Sequence, residues 1–331
     1  MTFLYIIVAL VLIFDFINGF HDSANSIATV VSTKVLSPFA AVAMAAFFNF
    51  IAFTVFPLKV AHTIGGGVVA QDVLNLNVVG AALVAAITWN LITWWWGLPS
   101  SSSHTLVGGL IGSAIAHSGT GSVIVPGVMK IVAFIFIAPA LGMVLSFIIS
   151  TIVVYICRKM APFRVDKLFR RLQLISSSSF SLGHGGNDAQ KSMGIIWLAL
   201  IVKGLATKED PIALWIILSC QASIALGTLF GGWRIVKTMG QKITKLKPFE
   251  GFCAETAGTL TLFGATHFGI PVSTTHTITG AIMGVGARKG LSAVKWGVTR
   301  KIFWAWIFTI PISAFISAGM YFFFSWIFPL T

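Results

Sequence analysis

The stretch GFHDSANS at residues 19–26 decides the fold of this chain, because a related stretch, GHGGNDAQKS at residues 183–192, follows half a chain later. Aligning Asp22 with Asp188 places Asn25 opposite Lys191. Both aspartates lie beside strongly apolar sequence, where an acid is costly to remove from water, so each is interpreted as part of a functional site. The duplication strengthens that interpretation.

The composition indicates a membrane protein that crosses the bilayer many times. Of 331 residues, 56% are hydrophobic and 9% are charged, whereas soluble domains carry about 25% charged residues. The mean hydropathy is +0.93. A chain of this length provides about ten segments of roughly 20 residues that cross or dip into a membrane. We therefore predict an all-α polytopic membrane protein.

The net charge of +13 does not indicate nucleic-acid binding. Most of the basic residues lie in three short runs between apolar segments, at residues 158–171, 234–247 and 288–301. Basic runs in this arrangement are typical of cytoplasmic loops. We expect these residues to meet anionic membrane lipid and predict no nucleic-acid partner.

The first half predicts several elements in order. Residues 2–20 form a helix that ends at Asn18-Gly19, and the mixed stretch 21–36 is too short for a simple span, so it is predicted to be re-entrant. A span at 38–57 follows, then a glycine-rich loop at 58–77 that contains Gly65, Gly66 and Gly67. A second span at 78–96 closes on tryptophans that are typical of the membrane interface.

A second motif is also written twice. LPSSSSHTL at residues 98–106 matches IPVSTTHTI at residues 270–278, and His104 aligns with His276. Because the two motifs occur in the same order in each half, we predict two transmembrane repeats, at 1–157 and 172–331. A basic cytoplasmic linker loop at 158–171 is predicted to join them.

The loop charges predict that the repeats have opposite orientations. Loops 58–77 and 117–127 carry no net charge, whereas their counterparts 234–249 and 287–300 are basic. If basic loops face the cytoplasm, equivalent loops lie on opposite sides of the membrane. Such inverted-topology repeats, with broken or re-entrant helices around a site near the midplane, are typical of secondary transporters.

The second motif suits anion binding. A proline can begin a helix and leave backbone donors unsatisfied, and the positive end of a half-helix directs those donors at a ligand. Hydroxyl groups from both halves would then surround a tetrahedral oxyanion. The predicted substrate-binding residues are Ser101, Ser102, Ser103, Ser273, Thr274, Thr275, Gln190 and Lys191, with His104 and His276 as supporting interior residues.

Two aspartates would repel an anion unless a cation lies between them. Oxygen ligands of this type suit hard cations, so the predicted coupling-ion residues are His21, Asp22, Asn25, Asn187 and Asp188, with a possible metal cation at Asp22 and Asn25. The Lys191 ammonium could replace one bound cation, and a histidine next to Asp22 suits proton exchange near neutral pH. A static Lys191–Asp188 pair remains the alternative. Asp15 and Glu255 have no counterpart and receive no role.

The paired motifs resemble those of the PiT family of inorganic phosphate transporters over nearly the whole chain. The resemblance implies a secondary-active symporter of the bacterial cytoplasmic membrane, usually a homodimer, which binds phosphate between its halves, free or as a metal complex. No cofactor is implied. The NDAQK stretch resembles the proton-coupled bacterial members, with sodium coupling as the alternative. Because the family includes sulfate permeases, sulfate or a related oxyanion is the alternative substrate.

Two other classes of protein remain as alternatives. An intramembrane metalloenzyme could gather ligands from both halves, but no HExxH motif is present, and catalysis needs no duplicated site. An anion channel would share the hydroxyl-lined path without a coupling ion. Transport against a gradient separates both from a symporter. The candidate metal ligands of such a metalloenzyme are His21, Asp22, His104, His184, Asp188 and His276.

Overall fold

The computed structural model describes residues 1–64, 67–207 and 209–329, so Gly65 and Gly66 of the predicted glycine-rich loop lie outside the described residues, as do the last two residues of the second half. Twelve α-helices and no β-strand occur in the described part of the chain. The helices are α1 (Thr2–Ser32), α2 (Pro38–Ile51), α3 (Lys59–Ile64), α4 (Leu76–Trp96), α5 (Ser102–Ser118), α6 (Val125–Cys157), α7 (Pro162–Val202), α8 (Leu214–Phe230), α9 (Trp233–Lys237), α10 (Pro248–His267), α11 (Thr274–Lys289) and α12 (Trp296–Ile327).

The helices have the lengths and surfaces of a membrane protein. Four of them, α1, α4, α6 and α12, are long and apolar enough to cross a membrane, and α8 with the segment at 233–242 forms a fifth candidate that is bent by 60°. Large apolar side chains such as Phe136, Phe315 and Trp326 are exposed, whereas the motif aspartates are buried. The predicted all-α polytopic class is confirmed.

The first motif lies inside one continuous helix, so the predicted break at Asn18-Gly19 and the re-entrant segment at 21–36 were wrong. Helix α1 runs unbroken for 31 residues. A Cβ added at Gly19 would lie 2.1 Å from the carbonyl oxygen of Ile224 on α8, and one added at Gly227 would lie 2.0 Å from the carbonyl oxygen of Phe16. Glycine therefore permits the close approach of α1 and α8, and it does not end the helix.

The predicted linker loop at 158–171 was also largely wrong, because most of it is helical. Helix α7 begins at Pro162, a residue whose fixed backbone suits the first turn of a helix, and it continues for 41 residues. Arg170 Nε donates to Asp166 Oδ2 at 2.7 Å across one helical turn. Only residues 158–161 connect α6 to α7.

The two motif helices run antiparallel, as inverted repeats require. At one end, Arg170 of α7 donates to the carbonyl oxygen of Lys34, just after α1, at 3.0 Å. Further along, Ser177 Oγ donates to the carbonyl oxygen of Ser26 at 3.0 Å. At the other end, Ser192 of α7 faces Asp15 of α1. The chain therefore runs in opposite directions along α1 and α7. The division into repeats at 1–157 and 172–331 stays a prediction.

The short helices lie at the proline motifs, not at the aspartate motifs. Helix α4 ends at Gly97, whose φ of +64° is the left-handed conformation that glycine adopts readily. The chain then turns back into α5, which has 17 residues, and its counterpart α11 has 16. These helices are too short for a full span, so α4–α5 and α10–α11 form two helical hairpins that begin anew inside the protein.

Each short helix packs against the last helix of the other half. A Cβ added at Gly108 or Gly112 of α5 would lie 2.1 or 1.9 Å from atoms of α12. A Cβ added at Gly280 or Gly284 of α11 would lie 2.1 Å from atoms of α6. The short helix of each half therefore packs on the other half, α5 on α12 and α11 on α6. The two hairpins meet between the halves.

Candidate substrate and coupling-ion site

The N-termini of α5 and α11 converge on the two aspartate motifs. Ser101 Oγ accepts the backbone N–H of His104 at 3.3 Å, and Ser273 Oγ accepts that of His276 at 3.2 Å. Both serines are N-caps, since their oxygens satisfy donors that a helix otherwise leaves free. The structure thus gives Ser101 and Ser273 a structural role, and the next two hydroxyls of each motif face the site.

Asp22 receives hydroxyl donors from both halves of the chain. Its Oδ2 atom lies 3.4 Å from Ser102 Oγ of α5 and 3.4 Å from Thr275 Oγ1 of α11. Asn25 Nδ2 donates to Thr275 Oγ1 at 2.9 Å and to Thr274 Oγ1 at 3.3 Å. These are weak to moderate contacts, which an incoming ligand can replace.

His21 links Asp22 to α4. Its Nδ1 atom lies 2.6 Å from Asp22 Oδ1, so Nδ1 carries the proton that the carboxylate accepts. Its Nε2 atom lies 3.2 Å from Thr93 Oγ1 and 3.4 Å from Ser100 Oγ. Sequence reasoning missed Thr93 and Ser100, whose hydroxyls are 2.8 Å apart.

Asp188 is paired with a buried cation, unlike Asp22. Lys191 Nζ donates to Asp188 Oδ1, to Ser103 Oγ at 2.5 Å and to the carbonyl oxygen of Val272 at 3.1 Å. All three ammonium protons therefore have acceptors. Thr274 Oγ1 donates to the second oxygen of Asp188 at 3.0 Å. Lys191 thus connects its own motif to both short helices.

His184 completes a candidate cation site between the two motifs. One ligand atom from each of Asp22, His184 and Asp188 lies within 4.8 Å of the others. His184 Nε2 is 3.2 Å from Asp188 Oδ2, and its Nδ1 is 3.2 Å from Asn49 Oδ1 on α2. Two carboxylates and an imidazole can hold a divalent cation or share a proton. The sequence offered only a metalloenzyme role for His184, and no role for Asn49.

Gln190 does not reach the substrate site, so its predicted role was wrong. Its Oε1 atom accepts the backbone N–H groups of Val60 and Ala61 at 2.9 and 3.3 Å, and its Nε2 donates to the carbonyl oxygen of Pro57 at 3.0 Å. The amide thus fixes the start of α3. Asn187 Nδ2 likewise donates to Thr266 Oγ1 at 3.0 Å.

Unpartnered amide oxygens remain near both motifs. The Oδ1 atoms of Asn25 and Asn187 are buried and accept no hydrogen bond from the described residues. Buried polar atoms without partners are rare in proteins. These two free oxygens, one in each motif, support the prediction that the two asparagines offer ligands to a small cation.

His104 and His276 lie where the two hairpins meet. Their ring centroids are 4.8 Å apart in an edge-to-face arrangement, and His276 stacks on Trp306 at 3.9 Å. Trp306 in turn donates to the carbonyl oxygen of Pro99 at 2.9 Å. The histidines therefore hold the hairpins together behind the hydroxyl groups.

A cavity lined mainly by apolar side chains lies next to the site. It has a volume of about 150 Å³ and lies between α5 and α6, where Ser103, His104, Lys130 and Pro271 line it. Lys130 is the charged residue among these four. An anion in this cavity is adjacent to Ser103, which already contacts Lys191.

A model of the phosphate transporter family matches residues 18–317. The chain belongs to this family. Among similar transporters, the probable low-affinity inorganic phosphate transporter of Rhizobium meliloti (strain 1021) is 55% identical over 316 residues, which cover 96% of this chain and 95% of the relative. That of Bacillus subtilis (strain 168) is 44% identical over 330 residues, or 99% of this chain and 98% of the relative.

A solved structure supports the same family. The structure described as "The sodium-dependent phosphate transporter" superimposes with a TM-score of 0.88 at 28% identity, covering 99% of this chain and 100% of the other. The resemblance to phosphate transporters is thereby confirmed. So is the prediction of a multi-pass protein in a bacterial cell membrane.

Proposed function

We propose that this member of the phosphate transporter family is a secondary-active symporter that carries inorganic phosphate together with a proton by alternating access. The observation that carries the proposal is the buried Lys191, which bonds Asp188 and also reaches Ser103 at the N-terminus of α5. A resident ammonium group there offers an anion a positive charge. It also occupies the position at which the first motif has Asn25.

Phosphate would bind between the two short helices. Ser102, Ser103, Thr274 and Thr275 would donate to its oxygens, together with the free backbone N–H groups of the first turns. Arrival of the anion would replace the contact between Lys191 and Ser103 with one between Lys191 and a phosphate oxygen. Ser101 and Ser273 would hold the helix ends in place.

The net charge of the site explains why a second positive charge is needed. Asp22, Asp188 and Lys191 together carry one net negative charge when the histidines are neutral, and an anion adds at least one more. A low-dielectric interior makes an unbalanced charge costly. A proton that travels with phosphate removes one of these negative charges without a fixed metal ion.

The carboxylate of Asp22 favours phosphate over sulfate. Dihydrogen phosphate has P–OH groups that can donate to a carboxylate, whereas sulfate at neutral pH offers only acceptors and would be repelled. A site whose carboxylate accepts a hydrogen bond from the ligand rejects an analogue without that donor, because the buried carboxylate is then left unpaired. Sulfate therefore remains the weaker candidate.

Sodium coupling is the second candidate, and a specific cluster favours it. The ligand atoms of Asp22, His184 and Asp188 lie close together, with the free Oδ1 of Asn25 nearby on α1. The solved relative is named a sodium-dependent transporter. In this chain Lys191 already neutralises Asp188, which leaves fewer charges for sodium.

Uptake into proteoliposomes tests the proposal. Labelled phosphate should accumulate above equilibrium under an inward pH gradient without sodium, and not under a sodium gradient with pH clamped. Unlabelled sulfate in excess should compete poorly. Accumulation only with sodium would overturn proton coupling. Flux only down the phosphate gradient would favour an anion channel. No flux at all would favour the metalloenzyme alternative.

Two finer points stay predictions from the family resemblance. A homodimer is expected, and the mass of the purified protein in detergent measures it. The second prediction is that phosphate is transported as a metal complex. Uptake measured with and without magnesium, at a fixed concentration of free phosphate, tests it.

A further inference from the structure

A third buried carboxylate, Asp15, lies on the same helix as Asp22 and has no place in the site described above. It lies seven residues before Asp22, which is two helical turns, so both residues share one face of α1. The side chain is fully buried. Neither of its carboxylate oxygens has a hydrogen-bond partner among the described residues.

The polar groups around Asp15 are unpartnered as well. Ser192 of α7 and Asn18 of α1 face its carboxylate and are placed to donate to it, although neither Ser192 Oγ nor Asn18 Oδ1 has a partner at normal hydrogen-bond geometry among the described residues. Cys220 of α8 also faces Asp15, and both amide atoms of the next residue, the buried Gln221, have no partner among the described residues. Native interiors rarely leave so many polar atoms unsatisfied at one helix junction. The junction is therefore polar enough to hold a small ligand.

Among the described residues, no cation is paired with Asp15. From α7, Asp188 and Lys191 face it, but Lys191 already donates to three acceptors. From α8 the facing titratable group is the thiol of Cys220, and α2 and α4 contain no ionisable side chain. His21, on α1 itself, pairs with Asp22.

The remaining helices that pack on α1 meet it beyond Asp15. Gly232, just before α9, approaches the carbonyl oxygen of Phe20, the turn after α9 reaches Ala28, and α11 reaches Asn25. On α10, Glu255 bonds Thr29. The titratable groups of these segments are Arg234, Lys237, Lys242, Glu250, Cys253, Glu255, His267, His276, Arg288 and Lys289. None of them supplies a counter-charge at Asp15, and an ionised carboxylate without one is costly to bury.

We propose that Asp15 binds the co-transported proton, in a polar pocket that it forms with Asn18 and Ser192. The proposal rests on the proposed phosphate–proton symport. It adds a cation site outside the duplicated motifs. A proton there forms an O–H bond on the carboxylate and is released from the same oxygen, so no other reactant is needed.

The pocket is connected to the phosphate site by two ladders of side chains. On α1, Asp15, Asn18 and Asp22 follow at helical spacing, and on α7, Asp188 and Ser192 are one turn apart. When Asp15 is ionised, its charge adds to the attraction that holds Lys191 against Asp188. When Asp15 is protonated, that attraction weakens, and Lys191 can turn to phosphate. Coupling would thus act through the position of one ammonium group.

The test compares Asp15→Asn with Asp15→Glu in proteoliposomes. Asparagine imitates the protonated form permanently, so phosphate exchange at equal concentrations on both sides should persist, while accumulation under a pH gradient should disappear and the internal to external ratio should stay at one. Glutamate can still bind a proton and should restore accumulation. Accumulation by Asp15→Asn equal to that of the wild type would overturn the proposal.

A spectroscopic measurement covers the case in which Asp15→Asn no longer exchanges phosphate. Infrared difference spectra of the purified wild type, recorded with and without phosphate, should contain a carboxylic-acid carbonyl band that shifts in Asp15→Glu and is missing from Asp15→Asn. A wild-type spectrum whose carboxylic-acid bands are unchanged in both variants overturns the assignment. Accumulation by the wild type under a sodium gradient alone would instead overturn proton coupling itself.

Discussion

The two copies of the aspartate motif occupy matched places on antiparallel helices, yet they balance charge differently. Around Asp22 the neighbours are an imidazole and hydroxyl groups, His21, Ser102 and Thr275. Around Asp188 there is a buried ammonium group, Lys191. The two copies therefore share the position of the carboxylate but differ in its counter-charge. One half has a buried ammonium group where the other has an imidazole and hydroxyl groups.

The largest effect is expected from Asp188→Asn, because it leaves the ammonium of Lys191 buried without a counter-charge. Removing one partner of a buried pair typically costs about 3–5 kcal/mol, so both uptake and thermal stability should fall sharply. Uptake assays and unfolding in detergent measure the two effects. The double variant Asp188→Asn with Lys191→Met should recover much of the stability but no uptake. Wild-type stability in the single variant would show that Lys191 has another counter-charge.

Asp22→Asn should abolish uptake with much less effect on stability. No buried cation loses its partner in this variant, and the amide can still bond His21 and the hydroxyls of Ser102 and Thr275. The same two measurements, made side by side with Asp188→Asn, sharpen the difference between the motifs. Near-normal uptake would mean that Asp22 is a structural residue.

Lys191→Asn makes the second motif resemble the first and removes the permanent cation. Phosphate uptake should fall strongly at low sodium and recover in part when sodium is added, because a bound cation can then occupy the vacant position. Lys191→Arg keeps the charge and serves as the control. Uptake by Lys191→Asn that does not respond to added cations would favour the static pairing of Lys191 with Asp188.

Removing single hydroxyls should have moderate effects of similar size in both halves. Ser102→Ala and Thr274→Ala each remove one hydrogen bond among several, which is worth about 1–2 kcal/mol. Each should raise the phosphate concentration needed for half-maximal uptake by roughly tenfold. Unchanged affinity in the double variant would place the anion elsewhere.

The smallest effect is expected at the two N-caps. Ser101→Ala and Ser273→Ala each remove the acceptor of one backbone N–H, a loss of about 1 kcal/mol in stability. Both variants should unfold at slightly lower temperature and retain most of their uptake. A loss of uptake as large as that of Ser102→Ala would return these serines to the substrate site.

The parts of the site that lie in the repeated motifs were predictable from sequence, and the parts that lie outside them were not. Asp22, Asp188 and the hydroxyl motifs stand out because a second copy marks them. Thr93 and Asn49 occur in ordinary apolar helices without a counterpart in sequence, and only the packing of α4 and α2 brings them to His21 and His184. Pattern alone gives no signal for such contacts.

The errors in helix boundaries have a similar cause. Gly19 was taken for a break because glycine weakens a helix by about 1 kcal/mol relative to alanine. A glycine is needed at this position because a Cβ would collide with the carbonyl oxygen of Ile224 on α8. That neighbour is distant in sequence. Gln190 was assigned to phosphate by its place in the motif, whereas its amide is used by the backbone at residues 57–61.

The exchange of α5 and α11 between the halves has a consequence for the origin and dissection of this protein. Because each short helix packs on the last helix of the other half, a single half expressed alone exposes the glycine surfaces of both elements and lacks one wall of the proposed anion site. An ancestral single-copy gene would thus have been active only as an interlocked pair of chains. Two separately encoded halves should be inert apart and should regain uptake when they are synthesised together.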